Sequence, residues 1–276
     1  VHLAHQLALQ SNVEVLLGHR IKSGPLGISG NADNRIDFAS GRKHGFNGFA
    51  IGDIHGCYKA FSTLLDDVSP GKDDVLVLLG DYVDRGPDSR RVVELVKELT
   101  RHGKHIALRG NHEIMMTEAR ISDSWRGPWL QYGGDATLAS YVTGSGPGSF
   151  DDVPRSHIEF FEHRLLPYYE SDGHIFVHAN VDPTTPLCDQ TDAALYWQKY
   201  RNPDPHFSGK VMICGHTAQL TGVPATTGHS ICIDTYAYGG GWLSCLDTDS
   251  GTVWQANEAG ESRSFQMADI AEELRD

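Results

Sequence analysis

The chain is 276 residues long, with 39% hydrophobic and 21% charged residues, enough for one large globular domain with or without an appendage. Its net charge of −13, from 23 basic against 36 acidic residues, excludes a general nucleic-acid binder, which needs a basic face to neutralise phosphates. The longest aliphatic run, Val75 to Leu79, is too short to cross a bilayer, and no basic-then-apolar leader opens the chain. Membrane insertion and secretion are therefore not expected, and a start at Val1 fits a trimmed or processed chain. The five cysteines (Cys57, Cys188, Cys214, Cys232, Cys245) are scattered, without a CxxC pair. That pattern points to buried thiols in a reduced, cytoplasmic compartment. None is followed by Arg at the spacing of a C-x5-R phosphate loop, which excludes cysteine-nucleophile phosphate chemistry.

Residues 1–45 are rich in Gly, Asn, Ser and His, carry one short apolar stretch (Val13 to Leu17) and offer no site. They are read as an N-terminal extension of unknown role. From Gly48 the pattern becomes regular. Phe49-Ala50-Ile51 predicts a short buried strand. Tyr58 to Val68 predicts a helix, with Phe61, Leu64, Leu65 and Val68 on one face. Val75 to Leu79 predicts a second strand, Ser89 to Arg101 a second helix, and His105 to Leu108 a third strand. Alternation at this spacing predicts a βαβαβ core with parallel strands.

Residues 114–170, more helical and aromatic and broken at Gly144 to Gly148, are expected as a helical cap over the strand ends. Short strands at His174 to Val177, Val211 to Cys214, Ser230 to Ile233, Trp242 to Leu246 and Thr252 to Gln255 predict a second, largely antiparallel sheet. The main domain is thus expected over 46–256. An acidic tail over 257–276 is expected to hold one short helix, Met267 to Leu274.

Several predicted strands end in a residue of metal-ligand type. Asp53 and His55 follow the first strand, Asp81 the second and Asn111 the third; His178 and His216 follow two later strands. Ligands of open α/β sheets gather beyond the carboxyl ends of the strands, so these six side chains can share one crevice. The intervals Gly56 to Gly80 and Gly86 to Gly110 each enclose 23 residues, room for one helix and one strand. Oxygen and imidazole donors without thiolate suit manganese, iron or zinc in a reactive site better than a structural zinc. Asp53, His55 and Asp81 are expected to hold one ion, and Asp81, Asn111, His178 and His216 the other, with Asp81 shared. Two such ions lower the pKa of a shared water and clamp both oxygens of an in-line displacement. They also leave the site positive within an acidic chain, and Arg85 adds to that charge.

Gly52–Gly56 (GDIHG), Gly80–Gly86 (GDYVDRG) and Gly110–Glu113 (GNHE) resemble the three signature motifs of the PPP family of phosphoprotein phosphatases, within the calcineurin-like metallophosphoesterase superfamily. His178-Ala179 and Gly215-His216-Thr217 resemble its later ligand loops. The resemblance spans roughly 46 to 256 and is closest to bacterial and phage members, through Trp129 to Tyr141 (WLQYGGDATLASY) and His178 to Pro183 (HANVDP). It implies an α/β fold of two mixed sheets packed as a sandwich, with the βαβαβ core, flanking helices and helical cap. It further implies two divalent ions, manganese foremost, and hydrolysis of phosphoserine or phosphothreonine, with phosphotyrosine as a further candidate. His112 becomes the general acid and Asp84 its orienting carboxylate. Arg85 becomes the phosphate grip, with Arg109 a candidate helper or a partner in a buried ion pair, and Glu113 is structural. A serine alkoxide is a poor leaving group and needs that proton.

The sequence departs from the family in two places. Where relatives carry a second phosphate-gripping Arg in Trp-x-Arg, this chain reads Trp197-Gln198-Lys199, leaving Lys199 or Arg201 as substitutes. Asn180 stands where relatives often have Gly. Tyr236 and Tyr238, in the late loop Ile233 to Gly241, are candidate substrate contacts. His174 is the histidine most easily mistaken for a ligand. The alternative reading is a hydrolase of small phosphates such as dinucleoside polyphosphates. A nuclease and a non-catalytic scaffold are disfavoured, the first by charge and the second by retention of His112, Asp84 and Arg85. The expected partner is a phosphoprotein or small phosphate monoester, with no nucleic acid or membrane, and the expected state is a monomer.

Overall fold

The computed structural model describes residues 48–273, with side chains to 270; the N-terminal extension lies outside the described residues. Strands β1 (Gly48–Ile51), β2 (Val75–Leu78) and β3 (Ile106–Ala107) run parallel, pairing Ala50 with Val77 and Leu78 with Ala107. Helices α1 (Tyr58–Val68) and α2 (Ser89–Thr100) make the crossovers. Helix α1 buries Ala60, Phe61 and Leu64 and stops at Ser69, whose φ of 42° is left-handed. Helix α2 buries Val92, Val93 and Val96, and its Asp88 cap accepts the Arg91 N–H at 3.2 Å.

The second half of the chain does not sort as its strands suggest. Strands β4 (Tyr168–Glu170), β5 (His174–Val177), β6 (Val211–Cys214), β7 (Ala225–Thr226) and β8 (Ser230–Cys232) form a five-stranded sheet in the order β4-β5-β6-β8-β7. Its central strands β5, β6 and β8 are parallel, and only the edges are antiparallel. Strands β9 (Leu243–Asp247) and β10 (Thr252–Ala256), expected in this sheet, instead extend the first one, where β9 pairs antiparallel with β1. The segment read as an acidic tail supplies a further strand, β11 (Ser262–Gln266), on β10 and then helix α7 (Met267–Glu273). The first sheet is therefore six-stranded, in the order β11-β10-β9-β1-β2-β3.

Period-two alternation builds the layers. Ala50, Val77, Leu246 and Val253 of one sheet meet Phe176, Ile213 and Ile231 of the other in a core that Met267 and Ile270 close at one side. Their neighbours Phe49, Ile51, Leu76 and Leu78 face the helices. Ile175, Val177, Met212 and Cys214 pack with Leu195 and Tyr196 of the short π-helix Ala193–Trp197 and with Tyr200 beyond it. Each fully buried aliphatic side chain contributes about 1.5–3 kcal/mol, so this four-layer sandwich is a rigid base for loops at the strand ends.

The segment expected as a cap forms α3 (Asn111–Ile121), α4 (Asp123–Trp129), a π-turn at Leu130–Gly134, α5 (Asp135–Tyr141) and α6 (Arg155–His163). Met115, Trp129, Tyr141 and Phe161 join the same apolar cluster as α1 and α2, so these helices widen the helical layer of the six-stranded sheet. Among the described residues, no helix is long and apolar enough to cross a membrane.

Candidate active site

The site forms where β1, β2, β3, β5 and β6 end. Asp53 and His55 leave β1, Asp81 leaves β2, Asn111 opens α3 just beyond β3, and His178 and His216 leave β5 and β6. All six are buried or nearly so. His55, Asp81, Asp84, Arg85 and His216 all hold left-handed backbone, with φ between 46° and 74°. Such conformations cost about 1–3 kcal/mol each and persist where surrounding packing enforces them. The turns they make aim successive side chains inward. A Cβ on Gly110 would collide with the Asp81 carboxylate, so the approach of α3 to Asp81 requires glycine there.

Asp81 belongs to both groups of potential ligand atoms lying within 4.8 Å of one another among the described residues: His55–Asp81–His112 and Asp81–His178–His216. Its Oδ2 is 3.4 Å from His55 Nε2, and its Oδ1 is 3.5 Å from His178 Nε2. Asn111 Oδ1 lies 2.9 Å from His178 Nε2 and 3.0 Å from His216 Nδ1. Asp53 belongs to neither group; its two oxygens accept the His216 N–H at 3.1 and 2.9 Å. In this arrangement the Asp53 carboxylate accepts the His216 backbone N–H, and the His112 ring lies beside His55 and Asp81.

The imidazoles are oriented by carbonyl groups behind them. His55 Nδ1 stands 2.9 Å from Val83 O, His178 Nδ1 2.9 Å from Leu79 O, and His216 Nε2 3.1 Å from Trp197 O. Each outer nitrogen then carries the proton, and each inner nitrogen presents a lone pair to the crevice, the arrangement a metal ion requires. Burial lowers His178 to about 4 and holds His55 and His216 well below their ordinary value, keeping them in the neutral ligand form. Burial pushes Asp81 up to about 7 and raises Asp53, whose neighbours Asp234 and Asp81 add to the effect. Clustered buried carboxylates beside neutral imidazoles are a donor set that fits divalent cations.

A second network adjoins the first. His112, the second residue of α3, places Nδ1 2.6 Å from Asp84 Oδ2, while its backbone N–H donates to Asp81 Oδ1 at 3.0 Å. Burial, and then Arg85, hold His112 below the usual histidine value. Arg85 sits over the site, with Nη2 3.0 Å from His112 Nε2 and Nη1 3.3 Å from His55 Nε2.

The remaining candidates divide. Lys199 is half-buried and donates to His216 O at 3.1 Å, and burial lowers its pKa. Asn180 reaches the Lys199 carbonyl at 3.4 Å, tying that loop to the histidine loop. Arg201 is exposed. Arg109 does not face the crevice. Its Nη2 donates at 3.1 Å to Phe161 O and Glu162 O at the end of α6, so it caps a helix instead of gripping phosphate or forming a buried ion pair. Tyr236 is one ring removed from the site. Tyr238 takes the inner place, 4.9 Å from the His55 ring and with Arg85 4.3 Å over its face. His174 donates its N–H to Ser171 and its ring lies against Phe176, outside both ligand groups.

Sequence reasoning missed Asp234, a buried carboxylate after β8 whose charge acts on both Asp53 and Lys199. The signal was present: Asp234 follows its strand as Asp53 and Asp81 follow theirs.

The fold thus brings two groups of metal-type donors together at its strand ends. The profile of the family described as calcineurin-like phosphoesterase matches residues 49–220, and the chain belongs to that family. Among curated relatives, a symmetrical bis(5'-nucleosyl)-tetraphosphatase of Burkholderia mallei is 30% identical over 149 residues, 53% of this chain and 44% of that protein. Serine/threonine-protein phosphatase 1 of Salmonella typhimurium is 41% identical over 88 residues, 32% of this chain and 38% of that one. The matched stretches thus cover less than half of these relatives. A cold-active protein-tyrosine phosphatase of a psychrophilic Shewanella shares the fold at a TM-score of 0.54 and 17% identity, over 80% of this chain and 81% of that one.

Proposed function

We propose that this metallophosphoesterase hydrolyses phosphomonoesters of serine and threonine, with two divalent ions held by Asp81 between His55 on one side and Asn111, His178 and His216 on the other. Bound ions would activate the attacking water and polarise the phosphoryl group. Everything else falls to the chain. Arg85 offers a planar two-pronged donor above the ligand groups, suited to two phosphate oxygens. Lys199 supplies a second, less directional positive charge from the histidine loop. With Arg85 turned from His112 Nε2 to the phosphate, the imidazole protonated on both nitrogens would give its Nε2 proton to the leaving oxygen as the P–O bond breaks and its electron pair passes there, while Asp84 holds Nδ1.

The single observation that carries this reading is the 2.6 Å pairing of His112 Nδ1 with Asp84 beside the ligand groups. A positioned proton donor matters most for a basic alkoxide and least for a phosphate anion leaving from an anhydride. The second reading, cleavage of dinucleoside polyphosphates, is supported by the tetraphosphatase names among the relatives. The manganese-loaded protein assayed on a phosphoserine peptide, p-nitrophenyl phosphate and diadenosine tetraphosphate separates the two. The proposal expects the peptide to be turned over at a kcat/KM at least comparable with the tetraphosphate. A strong preference for the tetraphosphate would hand the site to the second reading. Chelation should abolish activity and manganese restore it; full activity of a metal-stripped sample would defeat both.

A further inference from the structure

Asp84 is fully buried, and its carboxylate has three donors, only one of them His112. Trp129 Nε1 donates to Oδ2 at 2.9 Å, sharing that oxygen with the imidazole. Thr137 Oγ1 donates to Oδ1 at 2.6 Å and accepts the Asp84 backbone N–H at 2.7 Å. Since the Thr137 proton points at the carboxylate, the Ser89 hydroxyl 3.1 Å away donates to Thr137 and in turn faces the Asp84 N–H at 3.2 Å. Asp84 itself holds a φ of 74°, a conformation that a non-glycine residue keeps only when fixed from outside.

The two outer donors come from a part of the chain that supplies no candidate metal ligand. Trp129 closes α4 and Thr137 sits in α5, with the π-turn Leu130–Gly134 between them. That turn lets residues eight apart approach one carboxylate from two directions. The indole is held in place by the Phe150 ring, stacked at 5.1 Å, and by Gly134, whose missing side chain leaves room for it.

We infer that Trp129 and Thr137 are positioning residues for proton delivery: they fix the Asp84 carboxylate in the one orientation from which it aims His112 Nε2 at the leaving oxygen. This rests on the reading of His112 as general acid. Without either donor the carboxylate can rotate about its Cβ–Cγ bond, and the imidazole follows it. Among the described residues neither side chain hydrogen-bonds to Asp81, His55, His178 or His216, so the ligand groups should keep their metals.

The test is a leaving-group series of aryl phosphates, from p-nitrophenyl to unsubstituted phenyl, run on the manganese-loaded protein. Thr137→Val keeps the shape of the side chain and removes the hydroxyl, and Trp129→Phe removes the indole N–H. Both should lose about 10-fold or more on phenyl phosphate and clearly less on p-nitrophenyl phosphate, with metal content unchanged; a general acid as a whole is worth about 10²–10⁴-fold. Thr137→Ser should restore the phenyl phosphate rate. In a His112→Asn background, Thr137→Val should cost nothing further. Equal losses on every substrate, loss of bound metal, or a further loss in that background would overturn the inference and leave these residues as packing. If His112→Asn itself shows no steeper leaving-group dependence, the general-acid reading falls first and this one with it. Should Trp129→Phe fail to fold, the Thr137 pair decides alone.

Discussion

Glu113 carries no chemistry of its own, yet four backbone N–H groups converge on its carboxylate. Oε2 accepts from Asp81 at 3.0 Å and Gly110 at 2.9 Å, and Oε1 accepts from Tyr82 at 2.7 Å and Val83 at 3.3 Å. It thereby pins the left-handed turn that carries Asp81 against the start of α3. Glu113→Gln places an amide NH2 against N–H donors on one side, and should lower stability by about 1–3 kcal/mol, read as a drop in denaturation midpoint. His157 offers a prediction in pH. Burial, then Lys97, lowers it to about 4, and the Tyr141 hydroxyl lies 2.9 Å from its Nδ1. The unfolded chain therefore takes up this proton near 6.5 and the folded chain only near 4. Stability from this residue is whole above pH 6.5 and is lost as pH falls towards 4. The wild-type melting temperature should fall more steeply across that window than that of His157→Gln. The positions of Glu113 and the motif residues at the strand ends were legible in the sequence because their spacing is local, a few residues beyond each strand. Arg109 and Tyr236 were not, because which way a side chain turns depends on neighbours distant in the chain.

At the scale of elements, the π-turn between α4 and α5 decides where Arg85 sits. Gly133 has a φ of 106°, its carbonyl accepts the Arg85 N–H at 3.1 Å, and a Cβ there would lie 2.8 Å from Arg85 Cγ. Gly133→Ala should displace the guanidinium as well as strain the turn by about 1–2 kcal/mol. The expected outcome is a KM for p-nitrophenyl phosphate raised several-fold, with metal content retained. Helices α1 and α2 were readable because apolar residues recur at helical spacing over three turns. The π-turn was not, since its Tyr-Gly-Gly sequence reads as a plain break in a helical pattern.

For the molecule as a whole, the segment after Ala256 is part of the sandwich. Strand β11 covers the edge of β10, and Met267 and Ile270 enter the core between the sheets. Truncation after Ala256 should therefore lower the melting temperature and promote association through the bared β10 edge, measured by thermal denaturation and light scattering. An unchanged melting temperature would show that this segment is only an appendage.

The sequence by itself determined the α/β core and the placing of Asp, His and Asn side chains just beyond its strand ends, because each depends on short-range periodicity and on residues adjacent to a strand. Only the tertiary structure decided that β9, β10 and β11 complete the first sheet, that the central strands of the second are parallel, and that Arg109 caps a helix. It also decided that Asp234 joins the buried carboxylates and that Trp129 and Thr137 meet on Asp84. Strand partners and the direction of a buried side chain are set by competition among long-range contacts of similar energy, and local sequence does not contain the outcome of that competition.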